Sequence, residues 1–188
     1  MSKTNYFSCV AGMAAAVLCV AMLGIPFAPK AAASEWNKKT IVTFSAPVEI
    51  PGKALGAGTY VFKLMDSPSD RNIVQIYDKD EQHLIATILA VPDYRLQPTG
   101  KTVIHFEERA SNSPEAVKAW FYPGDQFGQQ FVYPHQQAMR IAKRTSQNVL
   151  SMRDDTNAQS MKNTEVTGVN PQGETVEVDT VIRSSPAK

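Results

Sequence analysis

Between Lys39 and Tyr133 the chain is a succession of short apolar runs, each stopped within a few positions by Pro, Gly, Asp, Asn or Ser. These runs are shorter than an ordinary helix, and several alternate apolar with polar residues, which is the period of a strand with one face buried. They read "KTIVTFS" (Lys39–Ser45), "TYVFKLM" (Thr59–Met65), "NIVQIYD" (Asn72–Asp78), "HLIATILAV" (His83–Val91), "TVIHFEER" (Thr102–Arg109) and "VKAWFY" (Val117–Tyr122). The intervening "APVEIPGKALGAG", "DSPSDR", "KDEQ", "QPTGK" and "SNSPEA" carry the turn chemistry. Such spacing predicts an all-β fold, an antiparallel β-sandwich of about eight or nine strands with one C-terminal amphipathic helix packed on it.

Details of the pattern sharpen this expectation. "HLIATILAV" is apolar on both faces, so it belongs at the centre of a sheet, and Pro92 is expected to end or bend it. "AWFYPGDQFGQQFVYP" (Ala119–Pro134) reads as a hairpin, with Val117–Tyr122 paired to Gln129–Tyr133. Pro123 presets the first corner of the turn and Gly124 tolerates positive φ at the second. Ala119 and Phe121 face one way, Trp120 and Tyr122 the other, so both faces need cover. Core is the default role for most of these rings, because burying one is worth roughly 1.5–3 kcal/mol against a marginal total stability. The cover follows in "HQQAMRIAKRTSQ", where Ala138, Ile141, Ala142 and Thr145 recur at helical spacing while Arg140, Lys143 and Arg144 lie elsewhere. A helix near 135–146 is expected, and then a short strand at "NVLSM".

The N-terminus reads as an export signal: Lys3 in a polar start, an uncharged run from Cys9 to Ala28, Pro26, and small residues Ala31 and Ala33 at a cleavage site. Residues 1–33 are assigned to a cleaved signal peptide, 34–152 to the β-sandwich domain and 153–188 to a tail. Both cysteines, Cys9 and Cys19, fall in the leader, so the mature chain is cysteine-free and thiol chemistry is excluded from it. Cleavage takes Lys3 and Lys30 from the 19 basic residues, leaving 17 against 18 acidic ones. A nearly neutral chain has no long-range field for nucleic acid, and no stable membrane insertion is expected after cleavage. The tail has no aromatic residue and no Leu, so it cannot build its own core. It is expected either to dock on the sandwich edge or to be disordered, with a weak hairpin around "NPQG" and disorder beyond Arg183.

"WNKKTIVTFSAPVEIPGKALGAGTYVFKLMDS", "DRNIVQIYDKD", "ATILAVPDYRL" and "KAWFYPGDQFGQQFVYP" together resemble a family of exported bacterial β-sandwich proteins to which no function is assigned. The resemblance covers about Trp36 to Met152 and brings no catalytic or ligand-binding residues with it. "LGAGTY" (Leu55–Tyr60) is similar to the strand-turn-strand of many secreted β-sandwich modules, transthyretin-like regulatory modules among them; its glycines serve only the turn.

Chemistry is then sought residue by residue. His83, His105 and His135 sit in different elements without the clustering of a zinc site, and read as surface or strand-face histidines, with His105 a candidate interior one. Glu107 and Glu108 are adjacent on a strand, so they point to opposite faces and cannot share a substrate. Asp78 and Asp154 each open a calcium-like stretch. The first has Leu89 at the twelfth place and the second Gln159 where the loop needs glycine, so both read as solvated turns. No "GxSxG", "GxxxxGK" or "GxGxxG" occurs. No cofactor and no metal are expected, and no catalytic residue is assigned.

What remains is a recognition loop built from Asp125, Gln126 and Phe127, with Asp93, Tyr94 and Arg95 beside it. Two placements of Phe127 stand open. It either folds back to plug the end of the sandwich, the favoured placement, or stands exposed as an anchor. The expected protein is a non-catalytic binding or interaction module, exported to the periplasm or beyond, with an envelope protein or glycan as partner. A structural envelope protein assembling through sheet edges or the tail is the alternative, and a carboxylate-based hydrolase the remote one. The basic helix face of Arg140, Lys143 and Arg144 reads as solvated.

Overall fold

In the computed structural model, residues 38–65, 72–107 and 113–184 are described. The leader expected over residues 1–33, with its cysteines and cleavage site, lies outside them. The chain is mostly β, with two short helices and sheets that do not close.

Strand β1 (Lys39–Phe44) is followed by β2 (Val48–Ile50), β3 (Lys53–Leu55), β4 (Gly58–Leu64), β5 (Asn72–Asp78), β6 (Leu84–Tyr94), β7 (Val103–Phe106), β8 (Glu115–Phe121) and β9 (Phe127–Phe131). These nine make one sheet in the order β1-β4-β5-β6-β9-β8-β2-β3, with β7 along the other flank of β8. The Pro- and Gly-rich stretch expected as a loop therefore holds two strands, β2 and β3. Pro51 fixes one corner of their reversal, and Gly52, at φ +81°, supplies the positive φ the other requires.

Burial along β1 alternates strictly: Thr40, Val42 and Phe44 point inward, while Lys39, Ile41 and Thr43 point out. Register carries the inward row across the sheet, from Thr40 to Phe62, Ile76 and Ala86. Phe62 is wholly buried, its ring centroid 6.1 Å from that of Trp120 and 6.3 Å from that of Phe131. Trp120, on β8, donates its Nε1–H to Thr40 Oγ1 on β1 at 3.0 Å, and Phe44 meets Phe106 edge-on at 6.3 Å. The sheet thus curls until its distant ends touch through side chains, with no backbone ladder between β1 and β7.

Pro92 does not end β6. The strand runs on to Tyr94, and, among the described residues, positions 91–94 pair on one flank only, with β9, beyond the last β5 partner at Ala90. A missing N–H costs little where one side of the strand has no neighbour.

The second layer begins at β10 (Tyr133–Pro134) and continues through α1 (His135–Thr145), β11 (Val149–Met152), a 3-10 turn (Met161–Asn163), β12 (Thr167–Val169), β13 (Thr175–Val176) and α2 (Val178–Ser184). Strands β10 to β13 form a small sheet. Helix α1 buries Ala138, Ile141 and Ala142 in the main core, and Ser146 in the left-handed region ends it. It is also latched by polar contacts. Gln137 donates through Nε2 to Glu49 Oε1 at 2.9 Å and to the Ile50 carbonyl at 3.0 Å, and accepts from Gly52 N at 2.7 Å. Arg144, expected on a solvated face, instead donates to Glu49 Oε2 at 2.5 Å, so one side of the basic stripe is turned into the fold. Tyr133 donates to the Val117 carbonyl at 2.8 Å; burial, with the Glu107 and Glu49 carboxylates nearby, holds its phenol well above the ordinary tyrosine range. Lys118 and Glu107 form a buried ion pair at 3.5 Å.

The tail docks, though on a face of the main sheet rather than along its edge. Thr167–Val169 and Thr175–Val176 do pair, but they extend β11 rather than stand alone, and "DTVI" lies in helix α2 rather than a strand. Borrowed surface is the reason: Met161 and Val181 join Ile73, Leu89, Val132, Leu150 and Met152 in a second cluster on the outer face of β5 and β6. Gly168 makes this approach possible, since a Cβ there would fall 2.2 Å from Val181 Cγ2. Residues beyond Ser184 lie outside the described ones.

Candidate functional site

The six residues of the expected recognition loop are brought together, because the last residues of β6 pair with the first of β9. Asp93 lies opposite Gly128 and Tyr94 opposite Phe127. Counting back along these strands, the inward rows are Ala90 with Phe131, Pro92 with Gln129, and Tyr94 with Phe127. The outermost row has passed the end of the core. Its two rings lie 5.5 Å apart, tilted by 57°.

Phe127 does not plug the sheet end, which corrects the favoured placement: it is 61% exposed, Tyr94 is 53% exposed, and Leu96 nearby is also exposed. The pair lies on the inward-facing row but beyond the last core residues, so nothing among the described residues covers it. On the other face Phe121 fills the space beneath Gly128, where a Cβ would come within 2.5 Å of its ring.

Arg95 is a second correction. It is 4% exposed and so unavailable to a ligand. Its guanidinium lies over the Phe121 ring at 4.9 Å and donates to the Asp125 carbonyl at 2.7 Å, the Tyr122 carbonyl at 3.3 Å and Thr99 Oγ1 at 3.3 Å. The Arg95 backbone N–H adds a bond to the Gln126 carbonyl at 2.9 Å. One buried planar fork thereby ties β6, the loop after it and the Pro123–Gly124 turn into a single frame.

The two acids of the set also serve the frame. Asp125 is ion-paired with Lys38, whose ammonium lies 6.0 Å from the Tyr122 ring centroid. Asp93 accepts from the Tyr94 backbone N–H at 2.8 Å. Gln126 remains exposed beside the rings. On the inward face one row in from the pair, the Oε1 of Gln129 is buried with no hydrogen-bond partner among the described residues.

Two residues central to this site were not reached from the sequence. Lys38 is 87 positions from Asp125, and nothing local announces such a pair. Gly128, in contrast, carried a readable signal, since glycine inside a strand marks close approach of another group.

Other clefts hold less. A groove of about 500 Å³ between the β2–β3 turn and the start of α1 is lined by Glu49, Lys53, Gln136, Arg140 and Asp154. A neighbouring one of about 420 Å³ includes His135 and Ser151, whose Nδ1 and Oγ are 3.2 Å apart. Ser151 is wholly buried, so its hydroxyl presents no face to a substrate. Asp154 accepts from the Gln136 N–H at the start of α1, and Asp78 is engaged by Gln82 N and by His83, whose hydrogen bond holds the Asp78 carboxyl below its ordinary range. Both acids thus act as turn and cap residues. His105 packs against Phe121, with ring centroids 5.0 Å apart.

No protein-family model, no curated protein and no solved structure matches this chain. Among the described residues, no helix is long and apolar enough to cross a membrane.

Proposed function

We propose that this chain is an exported, non-catalytic recognition module of the cell envelope, belonging with sandwich-like exported proteins, and that it binds its partner on Tyr94 and Phe127. One observation carries this reading: two large rings are displayed on a frame rigid enough to hold them and left without cover. Burial of either would add roughly 1.5–3 kcal/mol, and the fold forgoes it. Rigid aromatic anchors are what a recognition surface uses, because little conformational entropy is lost when they are engaged. In this reading the curled sheet, antiparallel except where β2 runs parallel to β8, is a sandwich left open along β1 and β7, with α1 as its lid.

The test is Phe127→Ser. It is expected to leave the circular dichroism spectrum unchanged, to cost no more than about 0.5–1.5 kcal/mol from the lost ring pair, and to abolish recovery of the partner from an envelope extract. Recovery of the same partner by the variant would sink the reading.

A second reading, self-assembly through sheet edges, is favoured by β1. Among the described residues this strand pairs with β4 on one flank alone; it has no Pro or Gly and carries Ile41 at 67% exposure. It predicts concentration-dependent dimers by light scattering, removed by Ile41→Lys; a mass that stays monomeric at every concentration ends it. Assembly through the tail draws no such support, since the tail packs into the second core cluster.

A further inference from the structure

We infer that the ligand of the Tyr94–Phe127 platform is a neutral pyranose glycan, an inference that rests on the binding reading above. Charge is the first consideration. The ionic groups of the frame are already satisfied internally: Lys38 with Asp125, and Arg95 buried against carbonyl oxygens and the Phe121 ring. Exposed next to the rings in the chain are an amide, Gln126, and Leu96, while Asp93 accepts from the Tyr94 N–H. With these charges already engaged, a neutral polymer is not penalised for lacking one.

Shape is the second. The axial C–H face of a pyranose is apolar and polarised positive, and it packs on the negative face of an aromatic ring. Two rings 5.5 Å apart and tilted by 57° cannot lie against one flat ligand. They fit two successive sugar units whose planes are rotated with respect to each other, as they are along a twisted polysaccharide chain. Gln126 stands beside the rings as both donor and acceptor for hydroxyls.

Size is the third. A stable protein partner covers on the order of 800 Å² on each side. Two rings and a leucine at the end of one strand pair provide a small part of that, yet they suffice for a short stretch of polysaccharide.

The test is electrophoresis of the full chain through gels containing soluble neutral polysaccharides (a mixed-linkage β-glucan, xyloglucan and galactomannan), with alginate as the anionic comparison, and pull-down on insoluble cellulose and chitin. The expected result is retardation by at least one neutral polymer, unchanged by added salt, and weakened about tenfold or more by Tyr94→Ala or Phe127→Ala. Phe127→Trp, which keeps the ring face, is expected to retain it. The soluble and insoluble arms separate a free oligosaccharide from a wall polymer as the source. Absence of retardation and of pull-down on every neutral polymer overturns the inference, as does equal retention of the double alanine variant, or salt-sensitive retention by alginate alone. A protein captured from the envelope through Phe127, with no glycan retained, overturns the glycan and leaves the binding surface standing. Loss of neither activity on removing both rings overturns the surface itself.

Discussion

Trp120→Ala is expected to lower the free energy of unfolding by about 3–5 kcal/mol, the range for deleting a large buried ring. Trp120 is 1% exposed, sits edge-on against Phe62, and is the side chain through which β8 reaches β1 across the curl. Its loss opens a cavity at the centre of the main cluster and unties the two ends of the sheet at once. For a domain whose whole stability lies within about 5–15 kcal/mol, this is enough to leave a large unfolded population on modest warming. Urea denaturation at equilibrium measures it. Thr40→Val separates the two contributions, because it keeps the packing and strands the indole N–H without an acceptor, for about 1–3 kcal/mol. A loss below about 1 kcal/mol for Trp120→Ala would mean that the curl is held elsewhere.

Arg95→Ala is the second large effect, and it reaches function without removing a ligand contact. The substitution leaves the carbonyls of Asp125 and Tyr122 without their charged donor and uncovers the Phe121 ring. Charged hydrogen bonds contribute about 1.5–3 kcal/mol each and are not additive within one network, so a total near 3 kcal/mol is expected. More telling is the local effect. Backbone amides around Tyr94 and Phe127 are expected to lose hydrogen-exchange protection, and ligand capture to fall with them, although Arg95 is buried beneath the surface. Arg95→Lys is not expected to rescue it, because an ammonium cannot present the planar fork that spans Nε and both terminal nitrogens. Unchanged protection together with intact capture would show that the frame does not depend on this residue.

The same residue shows where local reading fails. In the sequence Arg95 follows Asp93 and Tyr94 in a turn-rich segment, where an arginine is ordinarily solvated; its burial depends on Phe121, which reaches it only once β8 has paired with β9. Phe127 failed for a related reason. Adjacent to so many core rings it reads as one more, and only its pairing with Tyr94, one row beyond the end of the core, leaves it exposed. Pro92 is expected to end or bend its strand; that β6 runs past it depends on the pairing of residues 91–94 with β9, which is not written near it. In the tail, the valines of Thr175–Ile182 favour a strand by propensity, yet Val178–Ser184 is helical because Val181 finds buried surface against Gly168 and the second cluster.

What the sequence determined by itself is everything that depends on neighbours a few positions apart. The strand runs of alternating burial, the Pro123–Gly124 reversal with Gly124 at φ +83°, and the apolar stripe of α1 at Ala138, Ile141 and Ala142 are all set by local sterics and hydrophobic period. Tertiary structure alone decided the curl of the sheet, the frame under the aromatic pair and the order in the tail. Each of these rests on a contact between residues far apart in the chain, Trp120 with Thr40, Lys38 with Asp125, Val181 with Gly168, and such contacts leave no periodic trace because their energy is released only when distant surfaces have already been brought together.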